Sequence, residues 1–312
     1  MTRPNLTGSN MTKPNMTKTG GDSRAGLVYA VLAYVAWGVL PLYVKAVDHV
    51  PAAEVVAHRV LWSVPVAGAV LWLTGRWQDL RVALCTPRYL AMAAVTAGLI
   101  TVNWSVYIWA VFHGRAVDAA LGYYINPLFN IALGAALLGE RLTRLQGVAV
   151  ALAALAVIVL SVGAGQVPVV ALGITLSWGL YAYFKKRLPV GPNQGFLLEV
   201  LILTGPALAL VGTLALRGEG HFGANLSDTL LLMLAGVITA TPLMLYANGA
   251  KLLRLSTIGI LQYITPTLIF LTAVFIFGEP VGLSRAIALP MIWVALGLYS
   301  LSLLRETSTA KS

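Results

Sequence analysis

Apolar residues run along this chain in long stretches separated by short polar gaps. A helix crosses the hydrocarbon core of a bilayer in about 20 residues. Ten stretches approach or reach that length, at 26–46, 53–74, 89–111, 117–138, 145–163, 168–185, 195–216, 229–248, 257–277 and 284–304. The gaps leave no room for an inserted soluble domain. The pattern predicts an all-α integral membrane protein of ten transmembrane helices.

Composition agrees. Of the 312 residues, 58% are hydrophobic and 10% charged, and the mean hydropathy is +0.82. A soluble domain carries about 25% charged residues, so this chain cannot build a water-facing surface. The formal charge of +10 alone would suggest nucleic acid, but its placement suggests membrane topology. With the N-terminus inside, 16 of the 21 Lys and Arg fall on cytoplasmic segments; Lys45, Arg115, Arg217 and Arg285 fall outside, and Arg59 lies within the second span. Basic residues collect on the cytoplasmic side. Both termini are expected in the cytoplasm, the protein in the cytoplasmic (inner) membrane among its lipids, with no nucleic-acid partner.

Residues 1–24 stand apart. They are polar, repeat an MT(R/K)PN unit, and lack the apolar core of a signal peptide. They read as a disordered cytoplasmic tail. The sequons at Asn5, Asn10 and Asn15 would then lie in the cytoplasm, where they are not glycosylated. The single cysteine, Cys85, excludes an intrachain disulfide.

The chain also repeats itself. Tyr124, Ile125, Pro127, Gly139 and Glu140 recur 139 residues later as Tyr263, Ile264, Pro266, Gly278 and Glu279. At an offset of 141, Trp37-Gly38 matches Trp178-Gly179. The expected units are a first repeat over 25–164, a second over 165–305, and a short tail over 306–312. Five spans per unit is an odd number, so the second copy enters the membrane from the opposite side. Inverted repeats of this kind mark secondary transporters, with a substrate site near the midplane where the halves meet.

Two five-helix units with WG in the first helix, Tyr-Ile-x-Pro in the fourth and Gly-Glu after it resemble the EamA domains of the drug/metabolite transporter superfamily. PAAEVVAHRVLWS (51–63), NWSVYIWAV (103–111), GYYINPLFNIALGAALLGER (122–141) and LRLSTIGILQYITPTLIFL (253–271) are similar to the RarD subfamily in particular. The resemblance spans about 25–304. It implies ten helices, cytoplasmic termini and small-molecule transport. RarD members are linked to chloramphenicol resistance or sensitivity, a phenotype that fixes no substrate.

Ionisable groups within a membrane are expensive and therefore functional candidates. The second span holds Glu54, His58 and Arg59. Glu54 and His58, four apart, share a face. His58 suits a proton carrier, and Arg59, always charged, suits an anionic group on a substrate. Glu54 also sits where a carboxylate complements the helix dipole. Aligning Pro65 with Pro206 sets Glu199 opposite His58, so the two are expected to face one central cavity. Polar residues Asn103, Asn126 and Thr265 read as cavity lining or as interhelical ties. Trp37, Trp104, Trp178, Tyr107, Tyr124, Tyr246 and Tyr263 read as aromatic walls for a flat or partly apolar solute. Pro127 and Pro266 lie near the bilayer centre and are read as paired helix bends, freeing the carbonyls of Tyr123 and Gln262. The Gly-Glu pairs read as helix terminators. Gly147/Ala151 and Ala149/Ala153 permit close helix contact, within the chain or in a homodimer.

There is no Gly-x-x-x-x-Gly-Lys-[Ser/Thr] loop, no His-Glu-x-x-His and no Gly-x-Ser-x-Gly, so neither direct ATP use nor these catalytic classes is indicated. No cofactor is expected. The leading expectation is a secondary active transporter of a small organic metabolite or drug, with protons as the first coupling ion to consider. A channel or receptor, or an intramembrane enzyme, is the alternative.

Overall fold

A computed structural model describes residues 23–138, 142–165, 167–250, 252–253 and 255–309. The expected tail over 1–22 and the terminator pair Gly139-Glu140 lie outside the described residues. Among the described residues all regular structure is helical: α1 (Arg24–Gly38), α2 (Leu40–Ala46), α3 (Ala52–Leu73), α4 (Trp77–Leu84), α5 (Pro87–Phe112), α6 (Ala116–Leu138), α7 (Arg144–Ala164), α8 (Val169–Arg187), α9 (Pro192–Arg217), α10 (Leu226–Ala250), α11 (Leu255–Leu261), α12 (Ile264–Leu271), a π turn (Thr272–Ile276) and α13 (Leu283–Thr309).

Each stretch read as a span falls on helix, and the chain is an integral membrane protein. Among the described residues, seven helices are long and apolar enough to cross a membrane, where ten were expected; Val169–Lys185 and Ile264–Ile276 are apolar but shorter. The second shortfall has a visible cause. The stretch 257–277 is broken at Gln262 and Tyr263 and ends in the π turn. The first stretch is broken too, at Val39, just ahead of Pro41. Helix α4 lies in what the sequence pattern left as a loop.

The two repeated prolines therefore differ. Pro127 sits inside the unbroken α6, whereas Pro266 occupies the first turn of α12. A proline is tolerated in a first turn because that N–H has no helical partner anyway. The expectation of two equivalent mid-helix bends is corrected accordingly.

Helix pairing follows the repeat. α3 packs on α9, and α7 on α13, each joining equivalent helices of the two copies. α1 packs on α10 as α8 packs on α5, and α1 on α12 as α8 on α6. The glycine of each WG pair explains one such contact. A Cβ on Gly38 would lie 2.6 Å from the Leu268 Cβ, and one on Gly179 would lie 2.4 Å from the Phe129 ring. Leu268 is Phe129 shifted by 139, so the same small residue receives the same neighbour in both copies. On α7 the buried face includes Ala149, Ala153 and Ala156, turned toward neighbours within the chain; Ala151 is exposed.

Candidate functional site

A cavity of about 110 Å³ opens between the two copies, lined by α1, α2, α3, α5, α6, α8, α10 and the α11–α12 break. A single water needs only ~10–15 Å³ by this measure, so the cavity has room for a small organic molecule. The break at 262–263 matters here. Gln262, Thr265 and Pro266 all line the cavity, so irregular backbone lies against protein and cavity, as a membrane interior requires.

The walls are aromatic. Trp37 meets Trp178 edge to face at 6.2 Å between ring centroids. Trp37 also meets Tyr34 at 5.9 Å and Tyr246 at 5.7 Å, and Trp178 meets Tyr123 at 6.3 Å. These rings come from both copies, so neither half builds the wall alone. Edge-to-face pairs fix ring orientation beyond simple burial.

Polar groups are set among the rings. Asn103 donates through Nδ2 to the Ser177 Oγ at 3.0 Å and accepts from the Tyr123 hydroxyl at 3.1 Å. Thr265 donates to the carbonyl of Tyr34 at 2.9 Å. The Asn126 Oδ1 and the Tyr107 hydroxyl are buried without a hydrogen-bond partner. Arg59 is the cavity's one formal charge among its lining residues. Its side chain is buried in a residue 4% exposed. Nε donates to the Thr239 Oγ1 at 2.9 Å, and the guanidinium lies 4.7 Å over the Trp104 ring.

The cavity thus brings together Trp37, Arg59, Asn103, Trp104, Tyr107, Asn126, Trp178, Thr265 and Pro266. Other candidates lie elsewhere. His58 stacks on Phe222 with centroids 4.8 Å apart. Glu54 is held by the α9–α10 connection, accepting from the backbone N–H of His221 at 2.7 Å and bonding its Nδ1 at 2.9 Å. Glu199 pairs with the Lys185 Nζ at 2.6 Å and accepts from the Tyr181 hydroxyl at 3.2 Å. None of the three lines the cavity, so the expectation that His58 and Glu199 face it together is corrected. The reason is local: each polar side chain found a partner or a ring before reaching the centre. Tyr124 and Tyr263 line a second cleft with Trp293 of α13, and the Tyr124 hydroxyl shares a 2.7 Å hydrogen bond with Thr267.

Reading the sequence missed Tyr34, Tyr123 and Thr239. Tyr34 precedes Trp37 by three and Tyr123 precedes Asn126 by three, so helical spacing from a known wall residue would have found both.

Two non-overlapping segments of the chain, residues 24–162 and 167–301, match the model of the EamA-like transporter family. The chain belongs to that family. Within the EamA-like transporters it is 40% identical to Protein RarD of Escherichia coli (strain K12) over 278 residues, covering 89% of this chain and 94% of that protein. It is 41% identical to the uncharacterized transporter YojE of Bacillus subtilis (strain 168) over 300 residues, covering 93% and 98%. A chloramphenicol-sensitive protein RarD of Pseudomonas aeruginosa is 33% identical over 291 residues, covering 91% and 97%. A solved crystal structure 21% identical in sequence superimposes with a TM-score of 0.59 over 90% of this chain and 98% of its own, a likeness of fold.

Proposed function

We propose that this EamA-like membrane transporter is a secondary carrier that moves a small organic molecule across the cytoplasmic membrane by alternating access. In this reading ten passes form two inverted five-helix repeats, with both termini cytoplasmic. The observation that carries it is the central cavity walled by equivalent residues of both copies, Trp37 and Trp178 foremost. Helix pairings that map onto one another under the repeat support it, because two related halves can exchange conformations and so open the cavity to each side in turn.

The end that basic-residue placement puts outside is tied shut between the halves. Glu54 holds His221, His49 meets Asp228 at 2.9 Å, Asp118 meets Arg285 at 2.9 Å, and Glu279 accepts from the N–H groups of Ala116 and Val117 at 2.8 and 2.9 Å. These contacts are the closed gate of the cycle.

The test is uptake from a defined metabolite mixture into proteoliposomes holding the full chain, read by mass spectrometry, with and without proton or sodium gradients. Selective, saturable enrichment of one compound over empty vesicles is expected. Unselective leakage of all small solutes would make the protein a channel, and no uptake under any gradient would overturn the reading.

A further inference from the structure

Arg59 has an unusual setting for a buried cation. Among the described residues it forms no ion pair: Glu54 is taken by His221, Glu199 by Lys185, Asp118 by Arg115 and Arg285, Asp228 by His49, and Glu279 by a helix N-terminus. Among the described residues, no acidic side chain lines the cavity. One edge of the guanidinium is occupied through Nε by Thr239, and its face lies on Trp104. Nη1 is buried with no hydrogen-bond partner. Nearby in the same cavity, the Asn126 Oδ1 and the Tyr107 hydroxyl are also buried and unpartnered.

A buried charge without a counter-charge is strongly unfavourable unless something else compensates it. The ring of Trp104 compensates only in part. The remaining guanidinium donors present the planar fork that matches a carboxylate. We infer that the central cavity takes a compact organic monoanion, a carboxylate on a flat apolar or aromatic body, with the carboxylate on Arg59 and the body against the aromatic walls.

The alternatives are separated by charge and shape. Ring faces attract cations, but an uncompensated guanidinium in the same cavity repels them, and no carboxylate is present to offset it. A neutral solute would leave Arg59 uncompensated. A phosphate dianion would need a second cation, and among the described residues Arg59 is the only one lining the cavity. An inorganic anion would satisfy the charge but leave the aromatic walls unused. The inference rests on the carrier reading for its biological meaning, although binding can be measured without transport.

The experiment measures thermal stabilisation of the purified full chain by benzoate, benzamide, benzylamine and chloride at pH 7 and constant ionic strength. Benzoate alone should raise the unfolding temperature in a saturable way. Arg59→Gln should weaken benzoate on the order of 10- to 100-fold, the range for a hydrogen bond to a charged group, and Arg59→Lys should retain part of the affinity. If Arg59→Gln does not fold, Asn126→Asp serves instead: it supplies a carboxylate to the same cavity and should abolish benzoate binding in a folded protein. Equal or better binding of benzamide or benzylamine overturns the inference, as does benzoate affinity that survives in folded Arg59→Gln or Asn126→Asp. Chloride that matches benzoate reduces the site to a counter-ion site and overturns it too. Selective uptake of neutral or cationic compounds in the proteoliposome assay would sink this inference and leave the carrier reading standing. Arg59-dependent benzoate binding with no uptake of anything would do the reverse.

Discussion

Trp37 and Trp178 touch edge to face, 6.2 Å between ring centroids, and they are the same position of one repeated unit. Each is followed by a glycine that admits a side chain from the opposite copy, Leu268 against Gly38 and Phe129 against Gly179. The two tryptophans stand beside these close helix contacts, α1 on α12 and α8 on α6.

Adding a methyl at these glycines is therefore expected to hurt. Gly38→Ala and Gly179→Ala should each destabilise by about 1–3 kcal/mol, the range for overpacking. Gly236→Ala should be worse, because its Cβ would fall 2.1 Å from the backbone carbonyl carbon of Trp62, and backbone yields least. Gly147→Ala and Gly212→Ala meet nothing within 4 Å and should be neutral or slightly stabilising, given the better helix propensity of alanine. Thermal unfolding in detergent orders the five variants; an unordered series would show that the contacts do not govern stability.

The Lys185–Glu199 pair makes a different prediction. Glu199 is 0% exposed, with a Lys185 Nζ contact of 2.6 Å. Removing one partner of a buried pair leaves an uncompensated charge, at about 3–5 kcal/mol. Glu199→Gln and Lys185→Met should each destabilise strongly, while the double variant should recover much of the loss. Additive losses in the double-mutant cycle would show that the pair is not coupled.

The gate predicts a labelling result. Glu279 satisfies two N–H groups at the start of α6, so Glu279→Ala should lose about 1–2 kcal/mol, as for a lost helix cap. On the carrier reading it should also favour the state open at that end. Cys85 is the only cysteine and is exposed, so Cys85→Ser gives a background for Thr265→Cys in the cavity. Glu279→Ala should speed modification of that cysteine by an impermeant maleimide from outside; an unchanged rate would argue against a gate there.

The prolines now carry unequal expectations. Pro127→Ala restores a backbone donor inside a continuous helix and should stabilise α6 or leave it unchanged, with the straightened segment altering transport. Pro266→Ala, at the first turn of α12, should change stability little yet let α11 and α12 join. A transport assay beside unfolding curves separates the two, and two identical outcomes would count against the distinction.

How much of this was legible beforehand follows from the physics of each signal. Apolar length located the long helices, since hydrophobic burial in lipid acts on whole segments, and it left out the short α4. Arg59, Asn103, Trp104 and Asn126 were visible because polar and aromatic residues are conspicuous in an apolar run, and they do meet at the cavity. His58, Glu54 and Glu199 were equally conspicuous but belong elsewhere, because their partners come from the α9–α10 connection and from the neighbouring helix α8. His221 and Lys185 become partners only once the chain is folded. Helix breaks at Val39 and at 262–263 were not legible either: a proline marks a strained place but does not say whether the helix bends or parts, as Pro127 and Pro266 demonstrate.

The difference between those two prolines reaches beyond local geometry. The repeated Tyr-Ile-x-Pro run is continuous helix in α6 and is severed between α11 and α12, within one molecule at one moment. One short motif is thus compatible with both backbone forms, with the surrounding residues choosing between them. If the halves trade roles during the cycle, the severed copy shows the shape that α6 has yet to take, and the chain carries the image of its own other state.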